Sequence, residues 1–169
     1  FCNDCGFLQL SHVVSPELLF RDYIYVSSTS PVFVQHFREL ADLIIKRFKL
    51  QALQANSPNS FVVDIGSNTG TLLSCFQAFG ARIRGVDPTN KLAAIARSRG
   101  IPTMTNYFTP SVARRIVRQL GQATVATGTN VFDHVDSLQS FLEAMQILLA
   151  PRGVFIVEVP YFLTFLTSH

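Results

Sequence analysis

The chain has 169 residues, which is one ordinary domain with little left for a second. Apolar residues make up 48% and charged residues 15%, against about 25% charged in an average soluble domain. A full core can therefore be buried and intrinsic disorder is excluded, while the sparse surface charge implies that part of the apolar surface meets another surface. The net charge of +3 comes from scattered basic residues, so composition gives nucleic-acid binding no support. No stretch reaches the ~20 apolar residues of a membrane helix; the best candidate, residues 154–166, is interrupted by Glu158 and Pro160. Three cysteines, two of them close together, make no secreted disulfide framework, and a reducing cytoplasmic setting is expected. The chain opens on Phe1 rather than Met, as expected of a piece of a larger protein.

Residues 1–14 hold a Cys-x-x-Cys-Gly turn and a short apolar strand at 7–10. Ser15-Pro16-Glu17 reads as a helix start, with a serine cap and proline at the first helical position. Residues 21–30 (RDYIYVSSTS) are hydroxyl-rich and aromatic, without helical period. Ser30-Pro31 starts a second helix, with Phe33, Phe37, Leu40, Ile44 and Phe48 predicted as one buried stripe. From Asn59 strands alternate with helices: a strand at 61–65, a helix at 71–79 closed by Gly80, a strand at 82–87 and a helix at about 91–99 stopped by Gly100. A short strand at 102–105, a helix at 111–120 capped by Thr109-Pro110, a strand at 123–127 and a helix at 137–149 follow. Pro151-Arg152-Gly153 is then predicted to turn into a fifth strand at 154–159. This alternation implies a parallel sheet with right-handed crossovers and helices on both faces.

In such sheets ligands sit beyond the carboxyl ends of the strands, where the strand order reverses. The first strand runs into Asp64-Ile65-Gly66-Ser67-Asn68-Thr69-Gly70, whose glycines let backbone N–H groups approach a ligand. The next ends at Asp87, 23 residues after Asp64, where a carboxylate can accept the hydroxyls of a ribose. A dinucleotide site would show Gly-x-Gly-x-x-Gly. This turn has Gly66-x-x-x-Gly70 behind a carboxylate, which repels a pyrophosphate but suits an ammonium. The combination resembles the first motif of class I S-adenosylmethionine methyltransferases. A purely structural turn in another α/β protein is the competing reading.

Further segments carry a wider resemblance: CNDCGFLQL (residues 2–10), YIYVSSTSPVFVQHF (23–37), DIGSNTGTLL (64–73), GVDPTNKLAAIARSRGIPT (85–103), TNVFDHVDSL (129–138) and VEVPYFL (157–163). Together they resemble the sugar C-methyltransferase family, which alkylates keto-sugar nucleotides. The resemblance implies a zinc module in residues 1–14, a lid and linker in 15–56, and an S-adenosyl-L-methionine-binding Rossmann-like core in 57–169. It would put Asp64, Gly66, Ser67 and Gly70 at the methionine end of the cofactor, Asp87 at the ribose, Pro88 at the adenine and Asn130 after the fourth strand. Tyr23, Tyr25, Ser28 and Ser30 match the family's lid over cofactor and sugar, and His36 follows it as a lid candidate or a surface histidine.

The implied chemistry is carbon alkylation next to a ketone: a base removes the alpha proton, and the enolate carbon attacks the sulfonium methyl. The family's histidine–glutamate motif, taken as the site of the base, lies beyond Pro160 and has no match before His169. The expectation is a cofactor-binding fragment truncated at both ends, without that base; the alternatives are an S-adenosylmethionine-dependent methyltransferase of another small molecule and a non-catalytic nucleotide-binding module. Cys2 and Cys5 have the spacing of a zinc knuckle; by resemblance a second Cys-x-x-Cys pair lies upstream, and His12 is a further donor in principle. His134 is a candidate for orienting substrate or a structural histidine. Cys75 is expected as a small core residue, and Arg114, Arg115 and Arg118 as a solvated helix face.

Overall fold

The structure is a computed structural model that describes residues 2–6, 12, 14, 15, 18, 26, 30–50 and 60–161. The predicted strand at 7–10, most of the stretch at 21–30, and Pro16 and Glu17 lie outside these residues.

Helix α1 (Pro31–Phe48) starts at the predicted proline, which loses no hydrogen bond at a first helical position. Ser30 takes the extended cap conformation but gives no side-chain cap bond. Phe37, Ala41 and Ile44 form the buried line, spaced four and three residues apart. Phe33 and Phe48, predicted in the same stripe, are 36% and 40% exposed. Phe33 borders an open cleft instead, and Phe48 is the last residue of the helix.

The remaining elements alternate as predicted: β1 (Phe61–Ile65), α2 (Thr71–Phe79), β2 (Arg82–Val86), α3 (Asn90–Ser98), β3 (Thr103–Met104), α4 (Pro110–Leu120), β4 (Ala123–Thr129), α5 (Leu138–Leu148) and β5 (Leu149–Glu158). The five strands are parallel, in the order β3-β2-β1-β4-β5. All five residues of β1 are buried, as a strand covered on both faces must be. Alternation along β1 sends Val62 to a core with α1 and α2, and Phe61, Val63 and Ile65 to a second core with α4 and α5. This is the doubly wound, Rossmann-like architecture.

One boundary differs from the prediction. Pro151-Arg152-Gly153 does not precede β5 but bulges within it, because pairing jumps from Ala123↔Leu149 to Val125↔Val154. Arg152 takes a left-handed φ of 67° there. Helix α5 and β5 abut at Leu148 and Leu149, which leaves the extra residues no loop to occupy.

No described helix is long and apolar enough to cross a membrane.

Candidate functional site

The chain leaves β1 toward β2 on one side and reaches β4 on the other, so a crevice opens at their carboxyl ends. A cleft of about 390 Å³ lies there. Asp64 lines it, in register with Gly85 of β2 and Thr127 of β4. Thr127 Oγ1 donates to Asp64 Oδ1 at 2.6 Å. This pairing needs β4 beside β1, since 63 residues separate the two. Burial pushes the Asp64 carboxyl up to about 7, with the Asp87 charge adding to the rise and the Thr127 bond opposing it. Near neutral pH this carboxyl is thus poised to ionise when a cation arrives.

The turn after β1 is built from unusual backbone. Gly66 has φ +69°, and a Cβ there would overlap the Val131 side chain. Its N–H and that of Ser67 both donate to the Val86 carbonyl, at 2.8 and 3.2 Å, tying the turn to the end of β2. Asn68, also left-handed at φ 51°, donates its N–H to Asp87 Oδ2 at 2.7 Å. The Thr89 N–H donates to the other oxygen, Oδ1, at 2.8 Å. Two backbone donors and the Thr89 side chain thus orient the Asp87 carboxylate, which keeps capacity for a further donor. Burial raises the Asp87 pKa against those bonds.

Ser67, on the cleft wall, has a buried Oγ without a hydrogen-bond partner among the described residues. Such an orphan is rare in native cores. Gly85 makes room for it: a Cβ at 85 would stand 2.5 Å from Ser67 Oγ. These features fit a ligand with an ammonium at one end and a ribose in the middle.

Asp64, Gly66, Ser67, Asp87, Pro88 and Asn130, all singled out from sequence, line this one cleft. Gly70 does not line it. Gly70 caps α2 at φ +77°, and a Cβ there would press on Ile101 at 2.8 Å, so its absent side chain serves packing. His134 lines the cleft, in a short 3₁₀ turn over Phe132–His134. His36 does not; its ring meets Glu158 at 2.6 Å. Ser30 is half-buried at the start of α1, while Tyr23, Tyr25 and Ser28 lie outside the described residues.

Sequence reading missed the outer walls. One is Asn106, Tyr107, Phe108 and Thr109 after β3; another is Ser137, Ser140 and Phe141 at the start of α5; a third is Phe33 and Phe37 on α1. The strand-end rule pointed to the segment after β3, but its residues match no motif. Phe141 packs edge-on against Phe108 and Phe132, a contact that sequence spacing does not reveal.

Cys2 and Cys5 are exposed free thiols on one turn, closed by the Gly6 N–H on the Cys2 carbonyl at 2.9 Å. Backbone hydrogen bonds from Cys5 and Asp4 hold the Cys2 thiol below its ordinary value. Two donors fit half of a structural zinc site, and among the described residues no third His, Cys, Asp or Glu joins them. Cys75 is half-buried, with its Sγ 3.6 Å from the Thr71 carbonyl. Arg114, Arg115 and Arg118 are exposed, as predicted.

A family model described as a methyltransferase domain matches residues 34–164. The chain belongs to the methyltransferase domain family. Among curated proteins, the C-methyltransferase NovU of Streptomyces niveus is 38% identical over 168 residues. That match covers 99% of this chain but 39% of NovU, so the chain spans well under half of that relative. Among solved structures, PH0226 of Pyrococcus horikoshii OT3 superposes with a TM-score of 0.64 at 18% identity, covering 85% of this chain and 62% of that one. SAM-bound CalS10, an amino pentose methyltransferase from Micromonospora echinaspora, gives 0.58 at 18% identity, over 83% and 59% respectively. At such identities the likeness is one of fold, and the fold is that of the class I methyltransferases.

Proposed function

We propose that this methyltransferase domain binds S-adenosyl-L-methionine, with the ammonium at Asp64 and the ribose at Asp87, and serves carbon methylation of a keto-deoxysugar nucleotide. The observation that carries the cofactor reading is the pair of buried carboxylates at adjacent strand ends, Asp64 and Asp87, beside the orphaned Ser67 hydroxyl. A carboxylate at Asp64, directly before the Gly66-x-x-x-Gly70 turn, repels a pyrophosphate and suits a cation, which disfavours a nicotinamide dinucleotide. Carbon as the methylated atom is supported by the likeness to NovU across nearly the whole chain.

The bound cofactor supplies an electrophilic methyl group. The chain's own residues hold and orient: Asp64 neutralises the ammonium, Ser67 donates to or accepts from the same end, Asp87 fixes the ribose, and Pro88 borders the base. Asn130 borders the cofactor after β4, and His134, which lines the same cleft, can orient a carbonyl oxygen of the acceptor through a ring N–H. The proton alpha to the ketone needs a base that this chain does not match to the family pattern. In this reading residues 57–169 are the cofactor-binding core, 15–56 the lid and linker, and 1–14 part of a zinc module in which Cys2 and Cys5 supply two thiolates. Work in the reducing cytoplasm keeps those thiols available.

Calorimetric titration tests the cofactor. S-adenosylhomocysteine is expected to bind one to one and NAD to give no heat; the reverse result overturns the reading. For the reaction, a chain extended past residue 169 is incubated with methyl-labelled cofactor and a keto-deoxysugar nucleotide. Label on carbon is expected by NMR, and label on oxygen refutes carbon methylation.

A further inference from the structure

The first turns of α1 bring Phe33 and Phe37 to the cleft wall. The buried line Phe37, Ala41 and Ile44 anchors the helix to the core. The N-terminal end receives neither a side-chain cap bond nor an acidic residue in its first turn. A polar tie reaches this end from the sheet: His36 Nε2–H donates to the Glu158 carboxylate at 2.6 Å, across 122 residues of sequence.

Glu158 is the last residue of β5 and pairs with Thr129. Its carbonyl accepts the Asn130 N–H at 2.7 Å, which pins the left-handed turn (φ 55°) that carries Asn130 into the cleft. One residue thus holds two walls. Its main chain fixes the turn after β4, and its side chain holds α1.

We propose that His36 and Glu158 are positioning residues, whose bond sets the Phe33–Phe37 wall against the Asn130 turn at the spacing the methionine end of the cofactor requires. The proposal rests on the cofactor reading above. The bond is short and charge-assisted, yet its side chains are 42% and 32% exposed. Half-exposed pairs contribute little to global stability. Its effect therefore falls on the geometry of the two walls it joins, both of which line the site, rather than on melting.

The test measures S-adenosylhomocysteine affinity by calorimetry, with melting temperature alongside, for the unaltered chain, His36→Ala, Glu158→Ala, the double variant and His36→Gln. Each single disruption is expected to weaken binding by roughly three- to tenfold, with the double variant no weaker than the worse single, as coupled residues behave. Melting should barely move. His36→Gln, whose amide can donate to the same carboxylate, should recover most of the affinity. Unchanged affinity in the single variants, additive losses, or a fall in melting temperature that accounts for the lost binding each overturns the positioning role while leaving the cofactor reading intact. No binding by the unaltered chain overturns both.

Discussion

Replacing Asp64 by Asn separates the stability of this fold from its function. Asp64 is 3% exposed, and its carboxyl rises from an ordinary 3.8 to about 7, chiefly because burial penalises the charge. Between those values the folded chain keeps a proton that the unfolded chain releases. Its contribution to stability is therefore fully present below about pH 4 and is lost as pH rises to about 7. At about 1.36 kcal/mol per pH unit, the loss reaches about 2 kcal/mol at pH 5 and about 4 kcal/mol above pH 7. Asparagine carries no charge to bury and keeps an Oδ1 that can accept from Thr127. The variant should melt higher than the unaltered chain at pH 8, by roughly 10 °C for a domain of this size, with a smaller gap at pH 5. It should also lose S-adenosylhomocysteine affinity by about 100-fold, since a buried ammonium–carboxylate contact is gone. Thermal melts followed by circular dichroism at the two pH values, with calorimetry at pH 8, provide the readouts. A variant that melts lower at pH 8, a gap that does not widen with pH, or retained affinity would refute the argument.

The same carboxyl makes cofactor affinity depend on pH. Binding of a cation requires ionised Asp64, so affinity should rise about tenfold from pH 6 to pH 8, and titrations at pH 6 in buffers of different ionisation enthalpy should reveal about one proton released. Asp87→Asn leaves a single acceptor oxygen for the Asn68 and Thr89 N–H groups and the ribose together; S-adenosylhomocysteine affinity should fall by about tenfold or more by calorimetry. Gly66→Ala places a Cβ on the Val131 side chain at a φ that alanine resists. The expected cost is about 2–4 kcal/mol in urea unfolding together with weakened binding; a variant within 0.5 kcal/mol, roughly the surface-substitution range, contradicts the steric argument.

Much of the inner site was legible before the fold was known. Asp64 and the glycine-bearing turn follow β1 directly, and Asp87 ends β2, so strand periodicity and local spacing located both carboxylates. His36 was visible as a residue next to the proposed lid segment, but its partner was not, because Glu158 stands 122 positions away. Gly70 was singled out by its place in the motif, and only the fold shows that its missing Cβ also accommodates Ile101. The outer walls went unread for a related reason: Phe108 and Phe141 are unremarkable aromatic residues until α4 and α5 lay them edge to face.

Sequence by itself determined what short-range physics determines: the alternation of strands and helices, the proline and glycine boundaries, and a turn that only small residues can make. Tertiary structure decided the rest. The crossover that sets β4 beside β1 puts Thr127 on Asp64, buries the carboxyl between two strands and raises its pKa. That outcome depends on strand order and register, which arise from packing two hydrophobic faces at once and are written in no single segment.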